Sequence, residues 1–219
     1  MTESKDNIKV GVLFDLDGVL IDSEREYTRI WSEIDRRYPT GEDNFAIKIK
    51  GQTLPEILTS HYPETLHGAV IDMLNEQEQQ MRYEMLPGAA EMLRALNARG
   101  IDAVLVTSSN NLKMKHLREE LPDLESHFIH IITANDIRRS KPDPEGYLLG
   151  AKKIGVAPKN CVVFEDSAQG VKAGQSAGAY VVGLTTTLPA ERIAPYSDRI
   201  VGTLAEVDLN EIIEILKRR

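Results

Sequence analysis

Residues 8–23 read Ile8-Lys9-Val10-Gly11-Val12-Leu13-Phe14 and then Asp15-Leu16-Asp17-Gly18-Val19-Leu20-Ile21-Asp22-Ser23. The first seven form a short apolar run rich in Val and Leu and stopped by a polar cluster, the pattern of a strand buried on both faces. Side chains alternate along a strand, so Asp15 and Asp17 leave the end of this one on the same side. Gly18 then permits a sharp turn.

Outward from this stretch the chain alternates strand and helix. Further strands are predicted at Ala103–Val106, Phe128–Ile132, Cys161–Phe164 and Tyr180–Leu184. Helical patterns at Ala89–Arg99, Leu112–Leu121, Pro144–Ile154 and Gly170–Ala177 separate most of them, and a last helix is predicted within Leu204–Leu216. Repeated strand–helix units imply an α/β fold with a parallel sheet covered by helices on both faces. In such sheets functional groups gather at the carboxyl ends of the strands.

Residues 24–85 break this rhythm. Tyr27, Ile30, Trp31, Ile34 and Tyr38 recur at helical spacing and make one apolar face. Thr53-Leu54-Pro55-Glu56 has the spacing of a capping box, and Val70, Ile71 and Leu74 suggest another helix that ends before Leu86-Pro87-Gly88. The segment reads as a small all-helical insertion after the first strand. The expected division is a core of residues 1–23 and 86–219 and a helical domain of residues 24–85. Trp31 is expected to pack within that domain.

The chain has 219 residues, 42% apolar and 27% charged, enough to close a core. Its 34 acids against 26 bases give a formal charge of -8, which argues against general affinity for nucleic acid or anionic membrane. The single cysteine, Cys161, excludes an internal disulfide framework and reads as a small buried residue. The opening MTESKDN is too charged for a signal peptide, and Val10–Phe14 is too short to span a bilayer. A soluble, cytoplasmic protein is expected.

Paired carboxylates at a strand end can bind a hard cation, act as nucleophile and proton carrier, or face water. A calcium-loop reading around Gly18 fails, because it puts Leu13 at the first ligand position and replaces the entering helix with a strand. Three later segments fit a phosphate site. Val104-Leu105-Val106 runs into the hydroxyls and amides of Thr107-Ser108-Ser109-Asn110. Ser140-Lys141-Pro142-Asp143-Pro144 places a lysine before two stiffening prolines. Val162-Val163-Phe164 leads into Glu165-Asp166-Ser167, a second acidic pair at a strand end. The five histidines form no zinc signature; His127 and His130 flank a strand edge and are expected to pack or face water.

In this order, FDLDGVLIDSE, VTSSN, KPDPEGY and FEDSAQGV resemble the four motifs of the haloacid dehalogenase superfamily, in its branch of phosphatases and β-phosphoglucomutase-like enzymes with a helical cap. The resemblance covers essentially the whole chain. It implies a Rossmann-like core, with Asp15 as the nucleophile that forms an aspartyl-phosphate and Asp17 as acid for the leaving group and then base for water. Thr107, Ser108 and Lys141 would bind the transferring phosphoryl group. Asp15, Asp17 through its backbone carbonyl, and Asp166 would hold Mg²⁺, with Glu165 in or beside the ligand set. Beside the metal Asp15 is then expected to be ionised, and Asp17, pointing toward the leaving group, to carry a proton part of the time.

Within this superfamily an aspartate two residues beyond the nucleophile implies phosphoryl hydrolysis or mutase transfer. The mutase pattern has a cap-hinge histidine and a cap arginine, where this chain has Tyr27 and Leu54. Both departures favour a phosphatase for a small phosphorylated metabolite, expected to be a sugar phosphate. Phosphosugar mutase and inorganic pyrophosphatase are the enzyme alternatives, and a non-catalytic metal or phosphometabolite sensor is the alternative from another class. In the cap loop Lys48–Thr53, the residues Lys50, Gln52 and Thr53 are the candidate specificity elements. The partner expected is the metabolite alone, without nucleic acid or membrane, for a chain acting as a monomer or a weak dimer.

Overall fold

The computed structural model describes residues 8–49, 54–109 and 111–219. Six strands form one parallel sheet: β1 (Gly11–Phe14), β2 (Asp102–Val106), β3 (His130–Ile132), β4 (Cys161–Glu165), β5 (Tyr180–Leu184) and β6 (Arg199–Val201). Their order is β3-β2-β1-β4-β5-β6, that of a Rossmann fold, in keeping with the Rossmann-like core that the resemblance implies. The first strand is shorter than Ile8–Phe14, beginning at Gly11, and the third begins at His130. The edge strand β6 was not predicted, since its three residues are too short to carry a period.

The sheet is buried on both faces because nearly every position of its inner strands is apolar. On one face Val12, Phe14, Leu105, Val162 and Phe164 join a core that continues into the inserted helices. Phe14 stacks on Phe164 with ring centroids 5.1 Å apart and meets Phe128 edge-on. On the other face Leu13, Val104, Val163 and Val181 pack with Tyr147 and Ile154.

Among the described residues, four helices lie between β1 and the next core helix: α1 (Glu24–Arg37), α2 (Phe45–Lys48), α3 (Leu54–His61) and α4 (Glu64–Glu78). Ile30, Trp31 and Ile34 make the buried face of α1, as its periodicity predicts, and Trp31 meets Phe45 edge-on at 6.1 Å. The chain enters and leaves this segment side by side. Asp22 N donates to Glu84 O at 2.9 Å, Leu86 N donates to Leu20 O at 2.9 Å, and Ile21 bridges Met85. No helix among the described residues is long and apolar enough to cross a membrane.

The core helices are α5 (Ala89–Ala98), α6 (Asn111–Glu120), α7 (Glu145–Lys153), α8 (Ala168–Ser176), the short α9 (Ala190–Ile193) and α10 (Leu209–Arg218). Within the C-terminal stretch, residues 204–206 form a separate 3₁₀ turn, and Asp208 caps α10 by accepting from Asn210 N at 2.8 Å. Ser167 caps α8 through Gly170 N at 2.9 Å.

Candidate active site

The sheet topology reverses direction beside β1, and the two acidic motifs emerge there. Phe14 pairs with Phe164 across β1 and β4, and Asp15 N donates to Phe164 O at 3.0 Å. Asp15 therefore lies alongside Glu165 at the carboxyl edge. One oxygen from each of Asp15, Glu165 and Asp166 falls within 4.8 Å of the others. Gly18, at φ +70, turns the chain over this cluster, where a β-carbon would run into the Asp166 carboxylate.

Lys141 closes the cluster from the loop before α7. Its Nζ donates to Asp15 Oδ1 at 2.5 Å, to Glu165 Oε1 at 2.7 Å and to Val106 O at 3.1 Å, with the side chain only 11% exposed. The ammonium also lies 5.1 Å from the centroid of the Tyr147 ring. Burying a lysine requires such partners.

Glu165 is fully buried, and protein donors engage both its oxygens. Oε1 accepts from Lys141 and, at 2.9 Å, from Tyr147 OH. Oε2 accepts from Asp166 N, Ser167 N and Ser167 Oγ at 3.0–3.1 Å. These bonds tie Lys141 and the β4–α8 turn to one carboxylate. Asp166 accepts a short hydrogen bond from the Thr187 hydroxyl.

Asp17 stands apart. Its Oδ1 accepts from Lys113 Nζ at 2.6 Å and its Oδ2 from Ser109 Oγ at 3.3 Å, so its carboxylate is not among the three clustered ones. The metal role that the resemblance implies for Asp17 lies with its backbone carbonyl, and its side chain is held by Lys113 and Ser109. Ser109 in turn is held by Thr107, whose hydroxyl donates to Ser109 Oγ and accepts from Ser109 N, both at 3.0 Å. Thr107 is thus turned toward its own loop, whereas Ser108 lines the cavity below.

Burial and neighbouring charges set the three carboxyls apart. Burial, with the charges of Glu165 and Asp17 adding to it, outweighs Lys141 and raises the Asp15 pKa to about 7. Asp166 is raised by burial and by Glu165 and Asp15. For Asp17 burial acts upward too, but the Lys113 ammonium and the hydrogen bonds outweigh it and hold the group below the usual range. The lysine that holds Asp17 down is one that the motifs did not single out.

A cavity of about 410 Å³ opens between this cluster and the inserted helices. Its floor includes Asp15, Asp17, Ser108, Lys141 and Asp166. Its roof combines apolar Trp31, Ile49, Ile57 and Leu74 with the polar groups of Tyr27, Thr28 and Glu78. Trp31, expected only to pack, thus also faces the cavity. Lys48 turns away to Glu42 at 3.4 Å. The specificity candidates Lys50, Gln52 and Thr53, like Asn110 of the second motif, lie outside the described residues. His127 meets Asn97 at the surface, and Cys161 is buried, consistent with packing roles.

An acidic cluster and a buried lysine at the carboxyl edge of this sheet, facing an inserted helical segment, define the haloacid dehalogenase type of α/β hydrolase. The chain belongs to that family: the haloacid dehalogenase-like hydrolase family matches residues 10–178. It is similar to validoxylamine A 7'-phosphate phosphatase of Streptomyces hygroscopicus subsp. limoneus, with 32% identity over 89% of this chain and 94% of the relative. It is likewise similar to hexitol phosphatase A of Escherichia coli, with 32% identity over 92% of this chain and 94% of the relative. Among solved structures, a family IA haloacid dehalogenase hydrolase from Entamoeba histolytica superposes with a TM-score of 0.78, at 24% identity over 95% of this chain and 99% of that one. At that identity the likeness speaks for the fold.

Proposed function

We propose that this hydrolase is a magnesium-dependent phosphatase that hydrolyses the phosphate ester of a small polyhydroxylated metabolite, a sugar or sugar-like phosphate. The observation that carries the reading is the convergence of Asp15, Lys141 and Asp166 on one cavity roofed by the inserted helices. The relatives named for phosphatase activity on a hexitol and on validoxylamine 7'-phosphate support it. We take residues 24–85 as a cap, hinged where residues 20–22 run beside residues 84–86.

The residues fit a divalent cation. Asp15 and Asp166 are carboxyls whose pKa values are raised by burial and by neighbouring acidic groups, and oxygen donors suit magnesium. These two would hold it, while Glu165, already engaged by five donors, supports them. Bound there, Mg²⁺ supplies charge that offsets the repulsion between a phosphate dianion and the Asp15 carboxylate.

Lys141 adds positive charge at the same oxygens and aims the Asp15 carboxylate. Asp15 attacks phosphorus as the bond to the leaving oxygen breaks, and that oxygen takes a proton from Asp17. Asp17 then removes a proton from water, which attacks phosphorus and breaks the bond to Asp15, releasing inorganic phosphate. Ionised Asp17 is the form needed for the second step, so it must gain a proton before the first. The roof, with an apolar wall beside Tyr27, Thr28 and Glu78, suits a ring that has one apolar face and several hydroxyls.

A phosphate-release screen over phosphorylated sugars, nucleotides and pyrophosphate, with magnesium and with chelator, tests this reading. Release from sugar monophosphates that requires magnesium is expected. Release confined to pyrophosphate, or isomerisation of a hexose 1-phosphate without free phosphate, would overturn it.

A further inference from the structure

We propose that Lys113 is a positioning residue for Asp17, fixing the direction of its carboxylate and tying that direction to the inserted helices through Tyr27. The inference rests on the reading that Asp17 handles the protons of the reaction.

Lys113 sits in the first turn of α6, a helix that otherwise buries only Met114 and Leu117. Its side chain is 8% exposed, although most lysines on so polar a helix reach water. The ammonium grips Asp17 Oδ1 at 2.6 Å while Ser109 holds Oδ2 at 3.3 Å. With one donor on each oxygen, rotation of the carboxylate is restricted from both sides. Both donors come from the β2–α6 region, so Asp17 is oriented by a part of the fold remote in sequence from its own loop.

The same ammonium donates to Tyr27 OH at 3.3 Å and lies 5.1 Å from the ring centroid. Tyr27 OH donates onward to Glu78 Oε1 at 2.8 Å. The donor sense is consistent along the chain, because a lysine only donates and a phenol both accepts and donates. Asp17, Lys113, Tyr27 and Glu78 therefore form one polar connection from the strand-end loop through α6 to α1 and α4. Tyr27, which the sequence marks as part of an apolar helical face and as a missing mutase histidine, is the link in which the inserted helices meet the proton-handling residue. A shift of those helices that moved Tyr27 would disturb the group that orients Asp17.

A purely structural ion pair would hold α6 in place and affect catalysis only through folding. Positioning predicts more, since misplacing a reacting group by about 1 Å costs about 10²-fold in rate. The test uses the full chain with p-nitrophenyl phosphate and magnesium, measuring kcat and KM for Lys113→Met, Lys113→Arg and Tyr27→Phe, each also in an Asp17→Asn background. Expected are a loss of about 10²-fold in kcat for Lys113→Met with little change in KM, and recovery of most of it by arginine. The substitution should cost nothing further once Asp17 is asparagine.

An unchanged kcat, a loss seen in KM alone, arginine no better than methionine, or an equal further loss in the Asp17→Asn background would overturn the inference. Should Lys113→Met fail to fold, Tyr27→Phe keeps the ring and removes only the hydroxyl. It should lower kcat by about 3- to 10-fold, a small part of the acid–base contribution, and an unchanged kcat refutes the link. A wild-type protein that releases no phosphate from any ester would sink the phosphatase reading and this inference together. An active wild type with the outcomes above would sink the inference alone.

Discussion

Replacing Asp15 with asparagine should stabilise the metal-free protein while abolishing its turnover. Asp15 is buried beside Glu165 and Asp166, and its pKa rises from 3.8 to about 7, with burial the largest cause. A carboxyl whose folded pKa is raised contributes stability that is complete below its unfolded pKa and lost as pH climbs through the folded one. The difference of about 3 units, at about 1.4 kcal/mol each, makes ionised Asp15 cost the folded state about 4 kcal/mol above pH 7. Asparagine escapes that cost, and the attraction of Lys141 for the ionised group is already contained in the raised pKa.

The net gain at pH 8 is then about 4 kcal/mol, or roughly 8–16 °C in Tm for a chain of this size. Thermal melts in chelator, run from pH 4 to pH 8, provide the assay. The advantage of Asp15→Asn should grow as pH rises from about 4 to 7 and level off above, where the wild-type group is already ionised. Added magnesium should narrow the gap, because the wild type offers the cation one more carboxylate. Turnover should fall by about 10⁴-fold or more, since an amide cannot replace the nucleophile. A variant that melts below the wild type at pH 8 in chelator, or a gap that ignores pH, would refute the electrostatic account. A well-folded variant with full turnover would refute the nucleophile assignment.

Lys141→Met leaves Asp15 and Glu165 buried without their shared cation, and should lower stability by about 3–5 kcal/mol at pH 8 in chelator, measured by denaturant melts. Thr187→Val removes the hydroxyl donor to Asp166 and should weaken magnesium affinity by about 10- to 100-fold in a calorimetric titration, with the fold intact. Burial pushes the Cys161 thiol up to about 12, so only about one molecule in 10⁴ carries thiolate at pH 8, and a thiol reagent should label it only after unfolding.

The alternation of apolar runs and helical faces was enough to anticipate five of the six strands and the helical segment behind β1, because burial on both faces leaves an unbroken apolar signature. β6 escaped, being three residues at an edge where only one neighbour pairs with it. The convergence of Asp15, Lys141, Glu165 and Asp166 followed from strand-end motifs in family order, since a parallel sheet brings all its carboxyl ends to one rim.

What the linear chain determined is therefore the layout: which segments enter the sheet, and which polar clusters stand at its functional edge. Only the tertiary structure decided how those groups are charged and aimed. Lys113 lies 96 positions from Asp17 in a helix with no motif of its own, yet its ammonium pulls the pKa of that carboxyl down. Thr187 and Tyr147 support Asp166 and Glu165 from the β5 loop and from α7, and the roof of the cavity depends on how α1–α4 pack. The physical reason is that strand and helix formation respond to periodicity within a few residues. Charge state instead depends on burial and on partners within a few ångströms, and folding alone sets both.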